Sequence, residues 1–432
     1  MSVVQHPYRP VTPSESDGRF GLAAAISAVF GRDLPIAIEC YDGSRLGPVD
    51  ATTRLLVRSR DALRYILTAP GELGFARAYV AGEIDVIGDV FEVFALRDRI
   101  SRIRVSPREW LALARAVGVD GLRPLPAPPE EIHQHGARHS KSRDAVAVSH
   151  HYDVSNEFYR LVLGPSMTYS CAVFASPDTT LEAAQTAKYE LVCGKLGLEP
   201  GMRLLDIGCG WGGMVMHAAR HHGVDAVGVT LSTRQAEWAR RAVAAAGLSD
   251  RVEIRIQDYR DVLDGPFDAI SSIGMFEHVG AARLDEYFAR CCALLRPGGR
   301  LLNHGIARAS GRAQLARRGF INRYVFPDGE LHEVGSVVSR IQRTGLEVRN
   351  VEGLREHYEQ TLRSWVRNLE THWTEAIASV GAGRARVWRL YMAGSAVGFR
   401  DARLQIHQVL AVRNTRDGTS GMPRRPNWEP SS

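Results

Sequence analysis

Two short stretches hold residues whose types and spacing suit chemistry. In SSIGMFEHVG, residues 271–280, an apolar run ends on Glu277 and His278, so a buried element closes on two titratable groups. In LLDIGCGWGG, residues 204–213, Asp206 closes another apolar run and is followed by Gly208, Gly210, Gly212 and Gly213. Glycines at that spacing let the backbone turn tightly and approach a ligand where a Cβ would clash. A carboxylate at a strand end suits proton transfer. It equally suits capping of a following helix, and His278 reads as structural.

The elements that must carry these residues alternate in a regular way. RLLDIGCG precedes GGMVMHAARHH, AVGVTLS precedes TRQAEWARRAVAAAG, and VEIRIQDY follows. FDAISSIGMFEHV then precedes LDEYFARCCALLRPGG and RLLNHGIA. This alternation predicts a doubly wound parallel α/β sheet, with ligands at the carboxyl ends of the strands. A dinucleotide site would want an acidic residue about 20 residues beyond the glycines. The next strand instead ends in VGVTLSTRQ, and Asp258 follows the third strand.

Composition sets limits on the rest. The 432 residues suffice for two or three domains. The Pro-, His- and charge-rich stretch at 122–145 divides them, giving an N-terminal domain at 1–121, a linker at 122–149 and a catalytic domain at 150–432. The N-terminal part reads as a small α/β or α+β domain. No apolar run reaches the roughly 18 residues of a membrane span, and the first 20 residues lack a signal-peptide core, so a cytoplasmic location is expected. The six cysteines show no paired CxxC spacing; no metal or disulfide is expected. The net charge of +6 comes from arginine, since the only lysines are Lys141, Lys188 and Lys195. Arg97, Arg99, Arg102, Arg104 and Arg108 form a cluster that suits either a peripheral anionic membrane surface or a solvated face. No nucleic-acid motif accompanies it, so no nucleic-acid partner is expected.

The glycine loop and the strand ends resemble those of class I S-adenosylmethionine (SAM) methyltransferases. HYDVSNEFYRLVLGPSMTYSCAVF at 151–174, LDIGCGWGG, GVTLS with Gln235, SIGMFEHVG, HGIA and HYEQTLRSW together resemble the cyclopropane fatty acid synthase family. The N-terminal GELGFARAYVAGEIDVIGD resembles the extra domain of members acting on phospholipids. That resemblance implies that Tyr169, Ser170, Asp206, Gly208, Gly210 and Trp211 border SAM. It places Thr230, Ser232 and Gln235 at its second loop, and Asp258 and Tyr259 at its adenine end.

The resemblance also implies methylation of a cis double bond in a phospholipid acyl chain. Such a reaction makes a carbocation that must lose a proton, and the family's acceptor is a bound bicarbonate. The matching ligand positions are the backbone amides of Cys171 and Ile306 and the side chains of Glu277, His304 and Tyr358. Proton loss from the added methyl gives a cyclopropane. A hydride shift first gives a methylene branch, the precursor of a 10-methyl chain, which calls for a partner reductase. A methyltransferase for a soluble metabolite is a further alternative, and a homodimer stays open. Ser395 stands where many members carry a cysteine, which favours direct transfer without a covalent enzyme intermediate.

Overall fold

The computed structural model describes residues 22–23, 26–27, 31, 33–96, 123–132, 155–312, 314, 316 and 319–428. The arginine cluster at 97–108 and the HYDV portion of the 151–174 motif lie outside the described residues. The chain forms two compact units that are not contiguous in sequence: 1–133 with 317–325 and 370–397, and 134–316 with 326–369 and 398–432. The first unit thus takes in two later segments that the contiguous division at 121 and 149 assigns to the catalytic domain.

In the first unit, β1 (Ala37–Cys40), β2 (Arg45–Leu46), β3 (Arg54–Val57) and β4 (Ile84–Ile87) form a sheet in the order β2-β1-β3-β4. Helices α1 (Arg60–Thr68) and α2 (Glu72–Val80) connect β3 to β4. Ser59 caps α1 by accepting from the Asp61 amide. The proline-rich 123–132 is not a free linker. Glu131 is buried and receives both Nε and a terminal nitrogen of Arg77 at 2.8 and 2.9 Å, while the Tyr65 hydroxyl donates to the Pro126 carbonyl. A buried carboxylate needs such a forked partner.

The second unit is built on a seven-stranded sheet. Helices α3 (Asn156–Leu163) and α4 (Leu181–Leu196) precede β5 (Arg203–Ile207). There follow α5 (Gly213–His222), β6 (Asp225–Thr230), α6 (Thr233–Ala245), β7 (Val252–Ile256), β8 (Phe267–Ile273), α7 (Leu284–Leu294), β9 (Leu295–Arg308), α8 (Val334–Arg343), β10 (Glu347–Gly353), α9 (Arg355–Thr371) and β11 (Leu404–Val412). The strand order is β10-β11-β9-β8-β5-β6-β7. Strands β5 to β9 pair in parallel as the alternation predicts, whereas β11 runs antiparallel to both β9 and β10. The sheet is therefore mixed rather than wholly parallel.

Both faces of the parallel half are covered. Leu204 packs with Val215, Ala218 and Val243 on one face, and Leu205 and Ile207 pack with Phe267, Leu284 and Phe288 on the other. This explains why β5 carries apolar residues on both faces, Leu204 on one and Leu205 and Ile207 on the other, where a half-exposed strand would alternate. Each fully buried leucine contributes roughly 1.5–3 kcal/mol. Strand β5 lies between β6 and β8, so the sheet order changes direction there, the place where ligands bind in open α/β sheets.

Candidate functional site

A cleft opens beyond the carboxyl ends of β5 and β6. Gly208, with φ +82°, turns the chain out of β5, and an added Cβ there would meet the Met275 side chain at 3.0 Å. The cleft wall includes Tyr169, Ser170, Asp206, Gly210 and Trp211, with Thr230, Gln235, Asp258 and Tyr259 further along. Nine of the residues expected at SAM are therefore brought together with Gly208.

Local contacts hold these groups in place. The Trp211 indole donates to Asn156 Oδ1 at 2.8 Å, and Tyr169 stacks on Trp365 with centroids 5.2 Å apart. The Thr230 hydroxyl donates to Gln235 Oε1 at 2.9 Å, orienting the amide.

Two expected contacts have other tasks. Ser232 is fully buried and accepts from the Gln235 amide as the N-cap of α6; it is absent from the cleft wall. That contact starts the helix. Asp258 does line the cleft, but its carboxylate receives the Arg260 backbone amide at 2.9 Å and the Arg260 guanidinium at 2.8 and 2.6 Å. The carboxylate is thus already engaged by Arg260 within the cleft wall.

A second cluster forms where β8 and β9 end. The Glu277 side chain is buried, and its Oε1 accepts from the Ile306 amide at 2.7 Å. Its Oε2 is buried with no hydrogen-bond partner. Burial raises the Glu277 pKa to about 7, with the Ile306 amide opposing the shift. His304 lies two residues before Ile306 on β9 and is buried; its Nδ1 contacts the Gln408 amide nitrogen at 3.2 Å, and its Nε2 has no partner. Burial holds His304 well below the ordinary histidine range, so the ring is neutral.

The other two expected residues, Cys171 and Tyr358, both contact Leu354, which β11 links to β9. Ile306 pairs with Ile406, whose carbonyl receives the Leu354 amide. The Leu354 carbonyl receives both the Cys171 thiol at 3.7 Å and the Tyr358 amide at 3.1 Å. Tyr358 packs on Phe399 with centroids 4.7 Å apart. Burial pushes the Cys171 thiol far above its ordinary pKa, so it is no nucleophile. The Ile306 amide differs from the expectation that it faces an anion. The buried Glu277 carboxylate takes it as its nearest donor.

Known proteins resemble this chain in sequence and fold. The family model for mycolic acid cyclopropane synthetase matches residues 139–409. The chain belongs to this family. A probable fatty acid methyltransferase of Mycobacterium tuberculosis is 48% identical over 407 residues, covering 92% of this chain and 95% of its own. The tuberculostearic acid methyltransferase UfaA1 of the same organism is 33% identical over 417 residues, covering 91% and 92%. Among solved structures, mycolic acid cyclopropane synthase CmaA1 complexed with SAH and CTAB superposes with a TM-score of 0.58 at 36% identity, covering 62% of this chain and 97% of that one. The protein is thus a SAM-dependent methyltransferase of the cyclopropane synthase and fatty acid methyltransferase group.

In this family member the cleft also holds a residue that sequence reasoning missed. Lys188 is buried, donates to Ser170 Oγ at 3.1 Å and lies in the field of Asp206. Burial pulls its pKa down to about 7 and pushes that of Asp206 up to about 6. Asp206 is held by the Ser271 hydroxyl, its neighbour across β8, at 2.7 Å. Elsewhere, ligand atoms of Cys193, His217 and His222 lie within 4.8 Å of one another. Glu190 already engages both imidazoles, at 2.7 and 3.0 Å.

Proposed function

We propose that this methyltransferase transfers the SAM methyl group to a cis double bond of a phospholipid acyl chain, with a bound bicarbonate as proton acceptor. The observation that carries this reading is the two buried, unpartnered polar atoms, Glu277 Oε2 in the turn after β8 and His304 Nε2 on the adjacent strand β9. A carboxylate oxygen accepts and a neutral imidazole N–H donates, so together they suit an anion that carries one proton. Buried polar atoms without partners are uncommon enough to require an explanation. When bound, SAM supplies an electrophilic methyl group and bicarbonate a base in an apolar site.

The chain's own residues supply position and polarity. Glu277, His304 and Tyr358, with the Cys171 amide, would hold the anion, and the Ile306 amide steadies Glu277. Gly208, Gly210 and Trp211 would shape the methionine end of the SAM site, with Gln235 and Tyr259 farther along. Burial excludes water that would otherwise quench a substrate cation.

A methylene-branched product is a second reading, favoured by one observation. The similarity to tuberculostearic acid methyltransferase extends over nearly the whole of both chains, whereas that to CmaA1 covers 62% of this one. On this reading a partner reductase completes the 10-methyl chain. For either product we place the enzyme in the cytoplasm, peripherally on an anionic membrane; among the described residues no helix is long and apolar enough to cross one.

The test is incubation with methyl-labelled SAM and vesicles whose acyl chains are either cis-unsaturated or saturated, beside a soluble extract. Label in unsaturated chains alone supports the proposal. Label confined to soluble metabolites overturns it.

A further inference from the structure

The last turn of α4 places Lys195 in the interior, with its side chain fully buried. Its ammonium contacts Glu352 and donates to Gln408 Oε1 at 2.8 Å. Gln408 is fully buried on β11, directly across from His304 on β9. Residues opposite each other in an antiparallel pair share a face, so the register itself brings amide and imidazole together.

Donor and acceptor chemistry then fixes every proton along the line. An ammonium has three donors and no acceptor, so the Gln408 atom facing Lys195 must be the carbonyl oxygen. The amide NH2 is therefore turned to His304 Nδ1, at 3.2 Å. An NH2 group only donates, so Nδ1 must accept, and the proton of the neutral ring sits on Nε2. That is the ring atom left buried without a partner.

We propose that Lys195 and Gln408 are positioning residues that lock His304 in its Nε2–H tautomer, so that the ring presents a hydrogen-bond donor to the anion of the catalytic site. This rests on the reading of His304 given above. The opposite tautomer would present a lone pair to an anion, which repels it. The same logic gives a reason for a lysine and a glutamine to be buried together beside His304. Neither touches the reacting atoms; each acts through His304. Lys188 and His407, whose fields also reach His304, oppose its protonation.

The test reads the tautomer directly, by two-bond proton–nitrogen correlation spectra of histidine-labelled protein, with His304 assigned by its loss in His304→Gln. Wild type is expected to show an unprotonated Nδ1 and a protonated Nε2. In Gln408→Glu the carboxylate can only accept, so Nδ1 becomes protonated, and turnover falls about 10- to 100-fold at unchanged SAM affinity. Lys195→Met frees the amide to flip and is expected to give mixed tautomers with a smaller loss.

A proton on Nδ1 in wild type overturns the proposal, and that spectrum needs no variant to fold. Wild-type turnover in Gln408→Glu overturns it as well. Failure of the functional reading would look different: wild type itself would leave lipid vesicles unlabelled, whatever the tautomer.

Discussion

Glu277 and Ile306 meet across the turn that follows β8: the Ile306 amide donates to Glu277 Oε1 at 2.7 Å, and Oε2 is left buried without a partner. One oxygen is thus spent on holding the side chain. The other is free to accept from a ligand. Replacing Glu277 by Gln keeps the size and the accepting oxygen but loses the negative charge. Turnover should fall at least about 100-fold, the scale of a positioned proton-transfer group. Calorimetric SAM affinity should stay unchanged, and near-normal turnover would remove Glu277 from the mechanism.

The same substitution should stabilise the fold in alkali. Burial raises the Glu277 pKa from 4.5 to about 7, so the stability contributed by this group is fully present below 4.5 and lost as pH rises through 7. The loss approaches roughly 3 kcal/mol above that range. Glu277→Gln should therefore melt increasingly above wild type between pH 5 and pH 8.5, read by thermal unfolding. A gap that shrinks with rising pH would contradict the burial argument.

Gly305 makes the turn that carries Glu277 fit against β9. A Cβ at this position would lie 1.8 Å from the Phe276 ring. Gly305→Ala must displace Phe276 or the strand, at about 1–3 kcal/mol of stability. Chemical denaturation should register the loss, with a fall in turnover. A variant as stable and active as wild type would show that the turn yields without consequence.

The arginine cluster offers a test of membrane access. Neutralising Arg99, Arg102 and Arg104 together should weaken sedimentation with anionic vesicles at low salt, because each arginine gains about 1 kcal/mol near such a surface. Salt should reproduce the defect in wild type, since screening acts over about 10 Å at 0.1 M. Equal sedimentation of both proteins would make the cluster an ordinary solvated face.

Much of this site is legible in the residues themselves. The glycines after β5 and the carboxylate after β8 stand at strand ends that the alternation of apolar runs already marks. Lys188, Lys195 and Gln408 are harder to see, because a buried polar side chain interrupts the pattern that reveals burial. Helix α4 reads LEAAQTAKYELVCGKL, and its buried face holds Gln185, Lys188 and Lys195 among alanine, valine and leucine. One signal was present: two of only three lysines in the chain stand seven residues apart, and so on one helix face. The antiparallel β11 escapes the alternation because it follows a helix in sequence just as a parallel strand would. Ser232 and Asp258 illustrate a different limit. Capping and ligand binding use the same residue types at the same strand ends, and only the neighbouring amides separate them.

The most direct measurement follows deuterium from trideuteromethyl SAM into cis-unsaturated phospholipid vesicles, by mass spectrometry of the released acyl chains. Methylation followed by proton loss from the new methyl group predicts an added carbon that keeps two of its three deuteriums, for the cyclopropane and the methylene branch alike. An added carbon that keeps all three would contradict that proton loss, and acyl chains without label would contradict the lipid substrate.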